Sequence, residues 1–244
     1  MFSVAVIGPD GAGKTTLTRR LESSNLLPFR YLYMGVAISS SNAALPTSLL
    51  WNRLKEQRRH NGPAARAEPS SCRRLQYNPR HAIRATARLA NRLAEEWFRQ
   101  LISRYYLLCG FVVLYDRHFV FDFAPEISVG GSLHDRFHRW YLARCYPRPD
   151  LVLFLDAPGE ILFARKGEST VEELERRRQA FLRQGKRISN FIRVDATRPL
   201  EQVYGDLCNH IIQFAASKTH RVVGFTAALA PSVEKKEKAV PEGK

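Results

Sequence analysis

Five short apolar runs recur along the chain, and stretches with helical spacing separate most of them. The first, Val4 to Ile7, is continuously apolar, as a strand buried on both faces requires. The second, FRYLYMG from Phe29 to Gly35, is aromatic and follows a break at Asn25 to Pro28. FVVLY after Gly110, LVLFLDAP after the turn at Pro147 to Pro149, and FIRVDA complete the set. Strands alternating with helices predict an α/β architecture with a parallel sheet.

Between these runs the spacing predicts helices over Lys14 to Leu21, about His81 to Leu108, Pro158 to Ala164, VEELERRRQAFLRQ and PLEQVYGDLCNHIIQFA, with a short basic helix over 49–59. In the longest, Ile83, Ala87, Ala90, Ala94, Trp97, Leu101 and Tyr105 keep helical spacing, while Arg84, Arg88, Arg92 and Arg99 occupy the other face; most of these read as solvated, and one or two near the N-terminal end could enter the site. Residues 60–79, rich in Pro, Arg, Ser and Asn, read as a mobile segment. Residues 217–244 read as a tail, disordered toward its end, in which VVGFTAALA could dock.

A length of 244 residues suits one α/β domain, expected over residues 1–216. Lys and Arg outnumber Asp and Glu by 38 to 23, which favours an anionic partner without choosing among nucleotide, nucleic acid and acidic membrane. Cys72, Cys109, Cys145 and Cys208 lack both zinc spacing and a disulfide framework, and read as reduced, mostly buried thiols. His134 and His138 share a helix face but have no third ligand, so they read as surface histidines. The first strand begins the chain and no apolar run approaches about 18 residues, so neither a leader nor a membrane span is expected and a cytoplasmic address follows.

The candidate chemistry starts at GPDGAGKTT, residues 8–16. Gly8, four residues, then Gly13, Lys14 and Thr15 fit the phosphate-cradling P-loop pattern, with the required strand before and helix after. Gly11 and Gly13 can turn backbone N–H groups inward around a polyphosphate, the helix start favours the anion, Lys14 reaches the β- and γ-phosphates, and Thr15 ligates magnesium. Gly8, Asp10, Gly11, Ala12, Gly13, Lys14, Thr15 and Thr16 are thus expected around ATP. Asp10 is an acid in an anion site, so it is expected to face away from the polyphosphate and take a hydroxyl of a second substrate.

Asp116 and Arg117 stand at the tip of the third strand, where ligands of such sheets gather. Asp116 can hold a magnesium-bound water or accept a proton, and Arg117 can clamp an acceptor phosphate. Arg165 and Lys166 precede Gly167, Glu168 and Ser169, and a lid over about 164–180 could close these cations over a transferred phosphoryl group.

These pieces together resemble the thymidylate kinase family of P-loop nucleotide kinases, through GPDGAGKTT, GFVVLYDRHF, PDLVLFLDAPGEILFAR and FIRVDATRPLEQVYGDL. The resemblance implies a five-stranded parallel sheet flanked by helices. It assigns ATP phosphates to the loop, an acceptor sugar hydroxyl to Asp10, metal and acceptor phosphate to Asp116 and Arg117, and a lid position to Arg165, and it allows a homodimer. Two positions depart from the family: Tyr33-Met34-Gly35 replaces its Arg-Glu-Pro element, and His118 its Tyr after Asp-Arg. The expected activity is transfer of the ATP γ-phosphoryl group, with Mg2+, to a nucleoside monophosphate or related small acceptor. The alternative is a P-loop nucleic-acid end-kinase or ATP-dependent nucleic-acid-binding module using the arginines of residues 53–104. It lacks an aromatic–basic stacking platform, so nucleic acid is not the expected partner.

Overall fold

A computed structural model describes residues 1–37, 41–46, 48, 79–122, 132–167 and 169–229. Five strands, β1 (Ser3–Ile7), β2 (Phe29–Tyr33), β3 (Val112–Asp116), β4 (Leu151–Asp156) and β5 (Phe191–Asp195), form one all-parallel sheet in the order β2-β3-β1-β4-β5. Helices α1 (Lys14–Glu22), α2 (Pro79–Leu108), α3 (Phe119–Asp122), α4 (Leu133–Cys145), α5 (Gly159–Lys166), α6 (Val171–Gly185) and α7 (Leu200–Leu229) flank it.

Alternation along β1 divides the core. Val4 and Val6 face a cluster with Leu17 and Leu21 of α1 and Leu207 and Ile211 of α7. Ala5 and Ile7 face another with Phe119, Phe121, Leu142 and Phe181. Both faces are thus covered, as an all-parallel sheet requires. The chain leaves β1 toward β2 and leaves β3 toward β4, so a crevice opens between the carboxyl ends of β1 and β3. Register places Val6 beside Asp116 at that crevice.

The five expected strands and the parallel sheet are present. Three expectations are corrected. The closing helix does not stop at Ala215: α7 runs through Leu229, and Lys218 Nζ, donating to Asp150 Oδ1 at 2.5 Å, ties the added turns to the segment before β4. Cys109, just past α2, and Cys145, at the end of α4, are exposed, and Cys208 on α7 is half-buried against the core.

The third correction concerns α2, which buries its polar stripe. Glu95, Glu96, Arg99, Gln100 and Ser103 are buried, whereas Ile83, Trp97, Leu101 and Tyr105 face solvent. The inversion is stable because most of the buried polar groups are paired. Arg99 donates to Glu95 Oε1 at 2.8 and 3.0 Å and to the carbonyl of Gly35 at 2.8 Å, Ser103 Oγ lies 2.5 Å from Tyr115 Oη, and His138 lies 2.7 Å from Glu96 Oε1. Arg99 is therefore no solvated arginine, and His138 no surface histidine. The basic helix expected over 49–59, the segment 60–78, Cys72 and residues 230–244 lie outside the described residues.

Candidate functional site

β1 ends at Ile7, and the chain turns tightly through residues 8–13 into α1. Gly11 adopts φ 86°, and a Cβ there would stand 2.7 Å from the Leu162 carbonyl oxygen, so both the turn and the packing of α5 require glycine. Gly13, also at φ 86°, starts α1 with no side-chain cap, and the first turn of α1 carries no acid. The positive end of α1 is thus left for a ligand.

Lys14 is buried, and its Nζ donates to the Pro9 carbonyl at 2.7 Å and lies 3.9 Å from Asp10 Oδ1. Burial, with the nearby Arg117 cation, holds its pKa down to about 8. Thr15 Oγ1 donates to Asp116 Oδ2 at 2.6 Å, and Tyr31 Oη donates to the same oxygen at 3.0 Å. Burial, reinforced by Asp116, raises the Tyr31 phenol, which stays a donor. Asp116 Oδ1 is buried and has no hydrogen-bond partner among the described residues. Thr16 is exposed beside Thr15.

Arg117 follows in a left-handed conformation, φ 67°, unusual for a side-chain-bearing residue. Its N–H donates to Val6 O at 3.2 Å, tying the tip of β3 to β1, and its guanidinium donates to Asp10 Oδ1. Gly35 packs so closely here that a Cβ would stand 2.6 Å from Arg117 Cδ and 2.5 Å from Tyr33 Oη. Asp10 also accepts from Arg177 Nη1 at 3.2 Å. Burial alone would raise the Asp10 carboxyl, but Arg117, Lys14 and Arg177 outweigh it and hold the pKa below the usual range. Burial likewise opposes the Arg117 charge, and Asp122 and Asp10 overcome it.

Two cavities flank the turn. One, of about 370 Å³, is lined by Gly8, Tyr33, Arg117, Asp122, Arg177 and Phe181, among others. The other, of about 490 Å³, lies between Gly11 to Gly13 and the segment Ala196 to Val203, with Arg165 at its edge. Arg165 donates to the Ala196 carbonyl at 2.8 Å.

The fold therefore brings Asp10, Lys14, Thr15, Asp116 and Arg117 together. It separates Arg165 from them, because α5 points that side chain at the loop after β5. Lys166 is exposed at the end of α5, and Glu168 lies outside the described residues. The expected lid region is occupied by two helices that meet at a corner where Gly167 and Ser169 take φ 66° and 67° and Thr170 caps α6. α6 is anchored through Arg178 Nε, 2.5 Å from Asp156 Oδ1.

Sequence reasoning missed Arg177, Asp122 and Tyr31. Arg177 was hidden in a charged helix, in which its neighbour Arg176 pairs with the half-buried Glu173. Asp122 gives a weak signal, an acid ending the apolar run Phe119 to Phe121; its Oδ2 is shielded and unpartnered among the described residues, and burial pushes its pKa up to about 6. His118 is fully buried among Tyr115, Phe121 and Tyr146, and burial holds its pKa near 3, so it is a neutral wall behind the site.

Among the described residues no group of three or more His, Cys, Asp and Glu could hold a metal, and no helix is long and apolar enough to cross a membrane. No protein-family model matches the chain, and no curated protein matches it either.

Proposed function

We propose that the protein is a P-loop phosphotransferase of the thymidylate kinase-like type, which passes the γ-phosphoryl group of ATP to a nucleoside monophosphate or a related small acceptor. The observation that carries the reading is the meeting of Thr15 Oγ1 and Asp116 Oδ2 at 2.6 Å, directly beside the glycine turn and Lys14. A hydroxyl and a carboxylate are oxygen donors suited to Mg2+, and the orphaned Asp116 Oδ1 gives the pair unused capacity. Bound with ATP, Mg2+ supplies charge neutralisation on the phosphate oxygens.

The protein's own groups do the rest. The turn's N–H groups and the start of α1 receive the polyphosphate. Lys14 gives up the Pro9 carbonyl and presents its ammonium to the β- and γ-phosphates. The polyphosphate anion also restores full protonation to a group held near pKa 8. The 490 Å³ cavity takes the rest of the ATP molecule, with Arg165 at its rim. The 370 Å³ cavity takes the acceptor, whose phosphate meets Arg117 and Arg177 while Asp10 and Asp122 receive hydroxyl or ring N–H donors. The acceptor oxygen attacks the γ-phosphorus, the bond to the β-phosphate oxygen breaks, and ADP leaves.

The test is ATP consumption, with Mg2+, against a panel of nucleosides, nucleoside monophosphates and phosphorylated sugars. Stimulation by one phosphorylated acceptor, with ADP and the newly phosphorylated acceptor formed in equal amounts, is expected. ATP turnover unaffected by every acceptor, or no ATP binding at all, would overturn the proposal.

A further inference from the structure

The inverted α2 leaves its apolar stripe on the surface. Ile83, Leu101, Tyr105 and Leu108 are 68, 64, 62 and 87% exposed. Leu133, Phe137 and Trp140 on α4 are exposed by 77, 48 and 55%. The two stripes are continuous. Trp97 Nε1 of α2 donates to Tyr141 Oη of α4 at 2.8 Å, Phe137 stacks on Tyr141 with centroids 6.2 Å apart, and Trp140 tilts against Phe137 at 5.8 Å. An exposed apolar face of this extent on one side of a folded chain marks an interaction surface.

Charge selects the partner. The two acids of α2, Glu95 and Glu96, are buried, and the one acid of α4, Asp135, accepts from Ser132 and faces Arg92 at 4.0 Å. Arg84, Arg88 and Arg104 on α2 and Arg136 and Arg144 on α4 are exposed. Aromatic and aliphatic side chains mixed with arginine, with Asp135 as the one acid of the two helices that is not buried and Arg92 beside it, are the composition of a surface that lies in the boundary layer of an acidic bilayer.

We infer that the joined outer faces of α2 and α4 dock on an anionic lipid surface, with Trp97, Leu101, Phe137 and Trp140 entering the headgroup boundary and the arginines holding acidic headgroups. A second copy of the chain would bring the same arginines face to face. A nucleic acid would satisfy the arginines but offers no apolar medium for Ile83, Leu101, Leu108 and Leu133. The inference stands independently of the proposed phosphotransfer.

The experiment is co-sedimentation of the full chain with vesicles of phosphatidylcholine alone and with about one quarter phosphatidylglycerol. Binding at least roughly tenfold tighter to the acidic vesicles is expected, weakening as salt rises. Arg136→Gln should weaken it roughly fivefold, and Leu101→Glu combined with Trp140→Glu should abolish it. As a measurement independent of any variant, brominated lipid should quench tryptophan emission of the unaltered protein. Equal or absent binding to the two vesicles, or no quenching, overturns the inference. So does a dimer in light scattering that Leu101→Glu splits while vesicles are ignored, which assigns the face to a second copy. An oligonucleotide bound more tightly than acidic vesicles at the same salt assigns it to nucleic acid.

Discussion

The two cavities beside the glycine turn are walled by different chemistry. The larger has main chain, aliphatic side chains and two arginines, with Arg165 spent on a carbonyl of the loop after β5. The smaller has a compensated ionic cluster in which Asp10 is shared by Arg117 and Arg177, with Asp122 Oδ2 nearby and unpartnered among the described residues. A ligand entering the first meets a ready surface. A ligand entering the second must displace ion pairs that already exist, so its charge and donor pattern decide whether it binds.

The largest effect is expected at Lys14, directly after the turn that the cavities flank. Lys14→Ala should lower kcat by at least roughly a hundredfold with either substrate saturating. It should leave the melting temperature unchanged or higher, because it removes a buried cation whose charged form the fold disfavours. Steady-state kinetics with a thermal melt checks both, and retained turnover would remove the mechanism.

Arg117→Lys tests the ionic side. Loss of the guanidinium that donates to Asp10 and, in the proposed mechanism, clamps the acceptor phosphate should raise acceptor KM or lower kcat roughly tenfold, with ATP KM within about twofold. Equal weakening for both substrates would dissolve the distinction between the cavities. Arg165→Ala is the mirror experiment and a smaller one: ATP KM should rise about threefold while acceptor KM stays within about twofold. A change confined to the acceptor would return Arg165 to the site expected from sequence.

Asp122→Asn sharpens the comparison through stability. Its carboxyl sits near pKa 6 rather than the ordinary 3.8, so between about pH 4 and 6 the folded protein holds a proton that the unfolded chain has lost. The charge therefore weakens the fold fully above pH 6 and not at all below pH 4. Asparagine should raise the melting temperature by roughly 3–6 °C at pH 7.5, with the gain vanishing near pH 4. A gain that persists at pH 4 would mean the carboxylate's charge is not its cause.

Local patterns were legible wherever one stretch of sequence contains its own explanation. Residues 8–15 state turn, helix start and charge within a few positions, and the five apolar runs name the five strands. What stayed hidden depends on distant partners. Apolar spacing in α2 specified a helix, but its buried side is fixed by Tyr33, Gly35, Tyr115 and His138, which the fold brings to it from elsewhere. Arg165 and Arg177 are both arginines on charged helices. The packing of α6 on α5, where a Cβ on Gly159 would stand 2.6 Å from the Val171 carbonyl oxygen, aims Arg177 at Asp10, while Arg165 on α5 faces the loop after β5.

Strand order also governs how the chain acquires its shape during synthesis. β1 is made first, yet its neighbours are β3 and β4, with Ser3 paired to Val113 and Val4 to Leu151. At a ribosomal pace of about 5–20 residues per second, β1 waits roughly 5–20 s before its first neighbour is made. Thr15 meets Asp116 only after that. Until then the apolar run Val4 to Ile7 lacks both of its sheet neighbours, so the nascent chain passes through an interval in which that strand is open to sticking to other chains.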